Sequence, residues 1–302
     1  MPRERLLNIT PQFPAGGKGT SRHRTGSGRP SLPRIRPRKS LGQNFLRDEN
    51  IVRKIVDAID PRPDDALLEI GPGEGALTRH LAGRGASLTV VDVDPRSAAA
   101  MREMFPGGDV EVVEGDILEM DLGALAARRG RKLRVAGNIP YNITSPILFH
   151  VIDNRSHVED MTLMVQKEVA RRMAAGPGSG DYGILSVFCG YFAETSLLFD
   201  VSAGAFHPRP KVTSAVVRFR MRDFPGARAA DEVFFRAMVR AAFGKRRKTL
   251  RNSLGYFAEA ERFALPDLPI FARRPEELSI AELVGLANTL STLLPDHDSG
   301  PE

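Results

Sequence analysis

From residue 48 onward the chain alternates between two hydrophobic periodicities. "DENIVRKIVDAI" (48–59) carries apolar residues three and four apart behind an acidic start, which predicts a helix. "ALLEIG" (66–71) is a short apolar run that ends on glycine and predicts a buried strand. A helix opens near Gly75, and "SLTVVDV" (87–93) and "VEVVEGD" (110–116) predict two more strands. Between them "PRSAAAMREMF" predicts a helix with Pro95 in its first turn. Strands near 133–139 and 160–166 continue the series, and "TSLLFDV" (195–201) and "SAVVRFRM" (214–221) are placed to close it as a hairpin pair. Repeated βα units imply a parallel, doubly wound α/β sheet. Beyond Asp223 the strand pattern stops. "DEVFFRAMVRAAF", "TLRNSLGYFAEA" and "SIAELVGLANTLSTLL" read as helices, so the expected organisation is an α/β domain over 40–222 and a small helical domain over 223–302 with a frayed polar end.

With 302 residues, 42% of them hydrophobic, the chain can fill a proper core. The single cysteine, Cys189, excludes an intramolecular disulfide framework and a Cys-rich zinc site, and no metal is expected. No apolar run approaches the roughly 18 residues of a membrane span, so no membrane partner and a cytoplasmic location are expected. The net charge of +6 is unevenly spread: residues 1–39 hold ten Lys/Arg against one acid, Glu4, while the other 263 residues hold 33 against 36. That tail also has eleven Pro/Gly and no apolar periodicity, so it cannot offset its ordering entropy by burial and reads as a disordered basic extension. Three uses of it stay open: a solubilising extension, an arm gripping nucleic acid through counterion release, and a transit peptide, which the Gly/Pro density disfavours.

"EIGPGEG" places Gly71, Gly73 and Gly75 between a predicted strand and a helix, where glycines let backbone approach a nucleotide and the helix start offers free amides. The spacing is one residue short of the dinucleotide fingerprint. Asp92 ends the second predicted strand, about 20 residues on, where an acid can accept from both ribose hydroxyls. Asp116 ends the third, positioned to meet an adenine amino group. A tight turn and two helix caps would explain each feature singly; their coincidence on consecutive strand ends favours a nucleotide site.

"VAGNIPYNITSP" (135–146) then delivers an amide, a proline and an aromatic ring at the end of the fourth strand. Turn chemistry alone would be content with Gly and Asn. If the cofactor carries a sulfonium methyl, as in S-adenosyl-L-methionine, and the acceptor is the exocyclic amine of adenine, each residue has a task. The Asn138 side-chain oxygen and a backbone carbonyl near Ile139 or Pro140 accept the amine hydrogens and aim the nitrogen lone pair at the methyl. Tyr141 stacks on the extruded base. Lys245, Arg246, Arg247, Lys248 and Arg251 fall within seven residues at a predicted helix start, which suits either a solvated face or a clamp on RNA phosphates.

"KSLGQNFLRDENIVRKIV", "EIGPGEGALT", "GNIPYNITSPILFH", "QKEVARRM", "FHPRPKVTSAVV" and "FGKRRKTLRNSL", in that order from about Lys39 to Asn252, resemble the rRNA adenine dimethyltransferase family, and its small-subunit branch in particular. The resemblance implies a seven-stranded Rossmann-like methyltransferase domain with a small C-terminal α-helical domain, using S-adenosyl-L-methionine. It implies that Asn44 and Leu46 line the cofactor pocket, that Gly71 and Gly73 belong to the glycine turn, that Asp92 holds the ribose and Asp116 the adenine, and that Asn138 is the transferring site. Asp92 is a departure, since the family usually has glutamate there. Phe206 matches the aromatic that closes on the target base opposite Tyr141, and the cations from Lys245 to Arg251 match an RNA contact. The implied substrate is 16S rRNA within immature 30S subunits, met by a monomer that adds four methyls to the N6 amines of two adjacent adenosines in the 3′-terminal hairpin loop. The nearest rival is a resistance-type 23S rRNA methyltransferase. A dehydrogenase shares the glycine turn and Asp92 but leaves Asn138 to Tyr141 unexplained, and a non-catalytic assembly factor would not need Asn138.

Overall fold

The computed structural model describes residues 34–222, 228–245 and 248–295. Seven strands form the large sheet: β1 (Ala66–Ile70), β2 (Ser87–Asp92), β3 (Val110–Glu114), β4 (Leu133–Asn138), β5 (Val158–Gln166), β6 (Ala193–Val201) and β7 (Ser214–Met221). Their order is β3-β2-β1-β4-β5-β7-β6, and β7 alone runs antiparallel to its neighbours. The strands at 195–201 and 214–221 do pair, although a two-residue strand, Phe206–His207, leaves the sheet between them to join Phe45–Leu46.

Both faces of the sheet are covered, so its central strands read as mainly apolar runs and not as an alternation, and the charges they carry, such as Glu69 on β1 and Arg134 on β4, are buried. Along β1, Ala66, Leu68 and Ile70 face one core with α4 (Leu122–Arg129) and α5 (Thr144–Asp153). Leu67 faces a second core with α1 (Glu49–Ile59) and α3 (Pro95–Met104). Asp48 caps α1 by accepting from the amides of Asn50 and Ile51, and Asp94 caps α3 with Pro95 at its first position. The helix expected to open near Gly75 is shorter: residues 73–77 form a turn, and α2 spans only Thr78–Leu81. Helix α6 (Lys167–Ala174) follows β5, and α7 (Ile184–Phe192) is buried nearly all round, so it carries no helical period to read.

The expected C-terminal helices are α8 (Glu232–Phe243), α9 (Leu250–Ala260) and α10 (Ile280–Ser291). They continue the first core: Phe235 of α8 lies 4.7 Å from Tyr191 and 6.4 Å from Phe188, both on α7. At the other end, Ile35 is buried with its amide bonded to Glu74, so packed chain begins ahead of the boundary expected at residue 39. The basic tail up to residue 33 and the frayed end from residue 296 lie outside the described residues.

Candidate active site

The strand order reverses between β1 and β4, so the loops leaving their C-terminal ends diverge and open a crevice. The glycine turn is one wall. Gly71, Gly73 and Gly75 have φ of 67°, 55° and 80°, a region that a side chain disfavours, and a Cβ on Gly73 would stand 3.0 Å from the Phe45 ring. Asp92, closing β2, accepts from the amides of Asp94 (2.9 Å) and Gly73 (3.4 Å), which holds its carboxylate against that turn. Burial raises its pKa, because a charge half out of water is disfavoured. Its neighbour Asp94 goes the other way: Arg96 at 2.6 Å holds it well below the usual carboxylate range. Asp116 lies beyond its strand, since β3 ends at Glu114; one oxygen caps the amide of Leu118 at 2.9 Å and the residue remains on the cleft wall.

Asn138 ends β4 on the opposite wall. Gly137 lets it come close, because a Cβ there would lie 2.6 Å from the Ile70 carbonyl oxygen. The Asn138 Nδ2 donates to the backbone oxygen of Asn44 at 3.1 Å, which leaves Oδ1 as the acceptor of that amide. The Tyr141 hydroxyl shares a hydrogen bond with Ser214 Oγ at 2.6 Å, and burial raises its pKa. Residues 40–46, Asn44 and Leu46 among them, form the third wall. Phe206 is not among the lining residues. It pairs with Leu46, is 5% exposed, and packs with Val52, Val201 and Val216 in the second core.

Glu69 escaped the reading of the sequence. It lies on β1 on the cleft floor, 2% exposed, with Oε2 lacking a hydrogen-bond partner. Burial, with the Asp92 charge adding to it, pushes its pKa up to about 7. The signal was a single acid inside the apolar run "ALLEIG", one residue before the turn.

The cation cluster is only partly free. Lys245 Nζ sits 4.0 Å from the centre of the exposed Tyr256 ring, and Arg251 is paired with Asp267 at 2.9 Å. Asp267 lies 16 residues along the chain from Arg251, outside the stretch in which the cations cluster. Lys248 is exposed, and Arg246 and Arg247 lie outside the described residues. No helix among the described residues is long and apolar enough to cross a membrane, and no cluster of metal-ligating side chains occurs among them.

A glycine turn after β1, an acid closing β2, an acid after β3 and an antiparallel β7 between β5 and β6 define a Rossmann-like methyltransferase. The residues fit S-adenosylmethionine: Gly71 and Gly73 bring backbone to the cleft wall, Asp92 and Asp116 offer acceptors for hydroxyl and amine hydrogens, and the orphaned Glu69 oxygen calls for a donor. The chain belongs to the ribosomal RNA adenine dimethylase family, whose profile matches residues 34–268. It is 46% identical over 257 residues to the ribosomal RNA small subunit methyltransferase A of Methylococcus capsulatus, covering 84% of this chain and 98% of that one. The same-named protein of Geobacter metallireducens is 46% identical over 267 residues, 86% of this chain and 97% of that one. Among solved structures, the 23S rRNA methyltransferase ErmE aligns at TM-score 0.59 and 30% identity over 80% of this chain and 100% of its own. A dimethyladenosine transferase from Plasmodium falciparum aligns at TM-score 0.67 and 24% identity over 82% of this chain and 96% of its own, a likeness of fold.

Proposed function

We propose that this protein dimethylates the N6 amines of two adjacent adenosines in the 3′-terminal hairpin loop of 16S rRNA, acting as a cytoplasmic monomer on immature 30S subunits. The observation that carries the reading is Asn138: it closes β4 at the crevice, with Nδ2 tied to Asn44 and Oδ1 left to accept. S-adenosylmethionine supplies an electrophilic sulfonium methyl when bound. The adenine amine is a poor nucleophile because its lone pair is delocalised into the ring. Asn138 Oδ1 and a carbonyl at Ile139 or Pro140 each accept an amine hydrogen, which holds the nitrogen towards tetrahedral geometry and takes its lone pair out of conjugation with the ring. The Pro140 carbonyl already accepts from the Ile143 amide at 3.2 Å, so that turn is braced. Nitrogen becomes acidic only after it gains the methyl, and the proton then leaves to water. One hydrogen remains for the second round.

Tyr141 stacks on the extruded base in this reading, its ring oriented through Ser214. Phe206 acts at one remove, backing Leu46 on the cleft wall. The helical segment from residue 228, with Lys245, Lys248 and Arg251 and the neighbouring Arg246 and Arg247, holds RNA phosphates without reading bases. The relatives' name supports the small-subunit substrate, while the likeness to ErmE keeps 23S rRNA as the alternative. Incubation with labelled cofactor and either immature small subunits or 23S rRNA, followed by nucleoside analysis, tests it. Dimethyladenosine formed only in 23S rRNA overturns the assignment.

A further inference from the structure

Glu74, inside the glycine turn, has no part in the chemistry above, yet its carboxylate is buried, 2% exposed, and both oxygens are used. Oε1 accepts from the Ile35 amide (3.1 Å) and Arg47 Nη2 (3.0 Å), and Oε2 accepts from Arg47 Nη2 (3.1 Å). These two partners bracket a strap, residues 35–47, whose middle forms the third wall of the cleft. The same side of the strap is hooked twice more: Gln43 Nε2 donates to Asp94 at 2.8 Å, and Arg96 Nη1 donates to the Arg36 carbonyl at 2.9 Å. From there the strap crosses to the other wall. Gly42 lies against Asn142 and Pro140, where a Cβ would stand 3.2 and 3.5 Å away, and Asn44 accepts from Asn138 Nδ2. One piece of chain therefore links a buried carboxylate on the cofactor wall to the amide on the acceptor wall.

We infer that Glu74 is a positioning residue: by pinning both ends of the 35–47 strap it closes the cofactor cleft and sets the Asn44 carbonyl that orients Asn138. An apolar side chain would fill this site without the desolvation cost of a carboxylate, so its use here buys geometry that packing alone would not specify. The inference rests on reading the crevice as a cofactor site, and its test separates the two. Glu74→Leu removes all three bonds that Glu74 makes to the strap and leaves the others in place; Glu74→Gln keeps one acceptor; Arg47→Met alters only a part-exposed partner.

Hydrogen exchange in the protein alone reports the strap directly, through the Ile35 amide, and calorimetry reports affinity for S-adenosylmethionine. In Glu74→Leu, protection across residues 35–47 falls at least tenfold with β1 and β4 unchanged, and the cofactor Kd rises about tenfold. Glu74→Gln is intermediate and Arg47→Met shifts both readouts in the same direction. Unchanged strap protection and affinity in a folded variant overturn the inference, as does a loss of protection spread evenly over the whole fold, which marks a merely structural role. If Glu74→Leu does not fold, Arg47→Met decides by the same two criteria. Failure of the wild type to bind S-adenosylmethionine sinks the cofactor reading instead, and the exchange measurement still judges the strap.

Discussion

Replacing Asn138 separates methyl transfer from cofactor binding. In the ground state the side chain makes one neutral, part-buried hydrogen bond, Nδ2 to the Asn44 carbonyl at 3.1 Å. Such a bond contributes about 0.5 to 1.5 kcal/mol, a small share of the roughly 5 to 15 kcal/mol that holds a domain folded. Asn138→Ala should therefore fold. In the proposed transition state the missing Oδ1 is one of two acceptors on the amine, and removal of one such preorganised partner typically costs about 2.7 to 4 kcal/mol, or about 10² to 10³ in rate. Asn138→Asp is the sharper variant. It keeps the shape and an acceptor but loses the donor, so a carboxylate oxygen then faces the Asn44 carbonyl and the side chain must turn away. Its rate should fall nearly as far as that of Asn138→Ala. The assay is single turnover with labelled S-adenosylmethionine at saturating RNA, alongside calorimetric cofactor affinity, which should move by less than about threefold, or 0.6 kcal/mol. A wild-type single-turnover rate in Asn138→Ala, or a cofactor affinity that collapses with the rate, refutes the reasoning.

Asp92→Ala removes a charged acceptor whose hydrogen bonds contribute about 1.5 to 3 kcal/mol each, so calorimetry should show cofactor affinity down more than tenfold; unchanged affinity would count against the ribose role. Glu69 has its folded pKa raised from 4.5 to about 7, so between those values the unfolded chain loses its proton first and stability falls as pH rises, levelling above about 7. Denaturant titrations across that range should show a decline that Glu69→Gln flattens, and an equal decline in both proteins would place the proton elsewhere. Replacing Lys245 and Lys248 with Ala should weaken RNA binding and lower its salt slope by about 0.7 to 0.9 for each phosphate no longer neutralised, with the methylated positions unchanged. A redirected target adenine would show that this segment reads bases.

The sheet was legible in the sequence because its determinants are local. Strands β1 and β2 are short, mainly apolar runs, and Gly71 just after β1, Asp92 at the end of β2 and Asn138 at the end of β4 fall at strand ends, so strand order was all that remained to bring the walls of the cleft together. Short-range pattern failed where an element lacks a period, as in α7, or where a turn replaces a helix, as at residues 73–77. The rest needed the tertiary structure. Phe206 reads as a base-facing aromatic in its motif, yet pairing with Leu46 puts its ring in the core. Arg251 reads as a free cation until folding brings Asp267 to it. Glu74 looks like one interchangeable residue of a glycine turn until Ile35 and Arg47 converge on it from 39 and 27 residues away. Periodicity and turn chemistry record what a residue does to its own backbone; the partners of a buried charge, and the face a ring finally meets, depend on segments whose meeting only the folded chain decides.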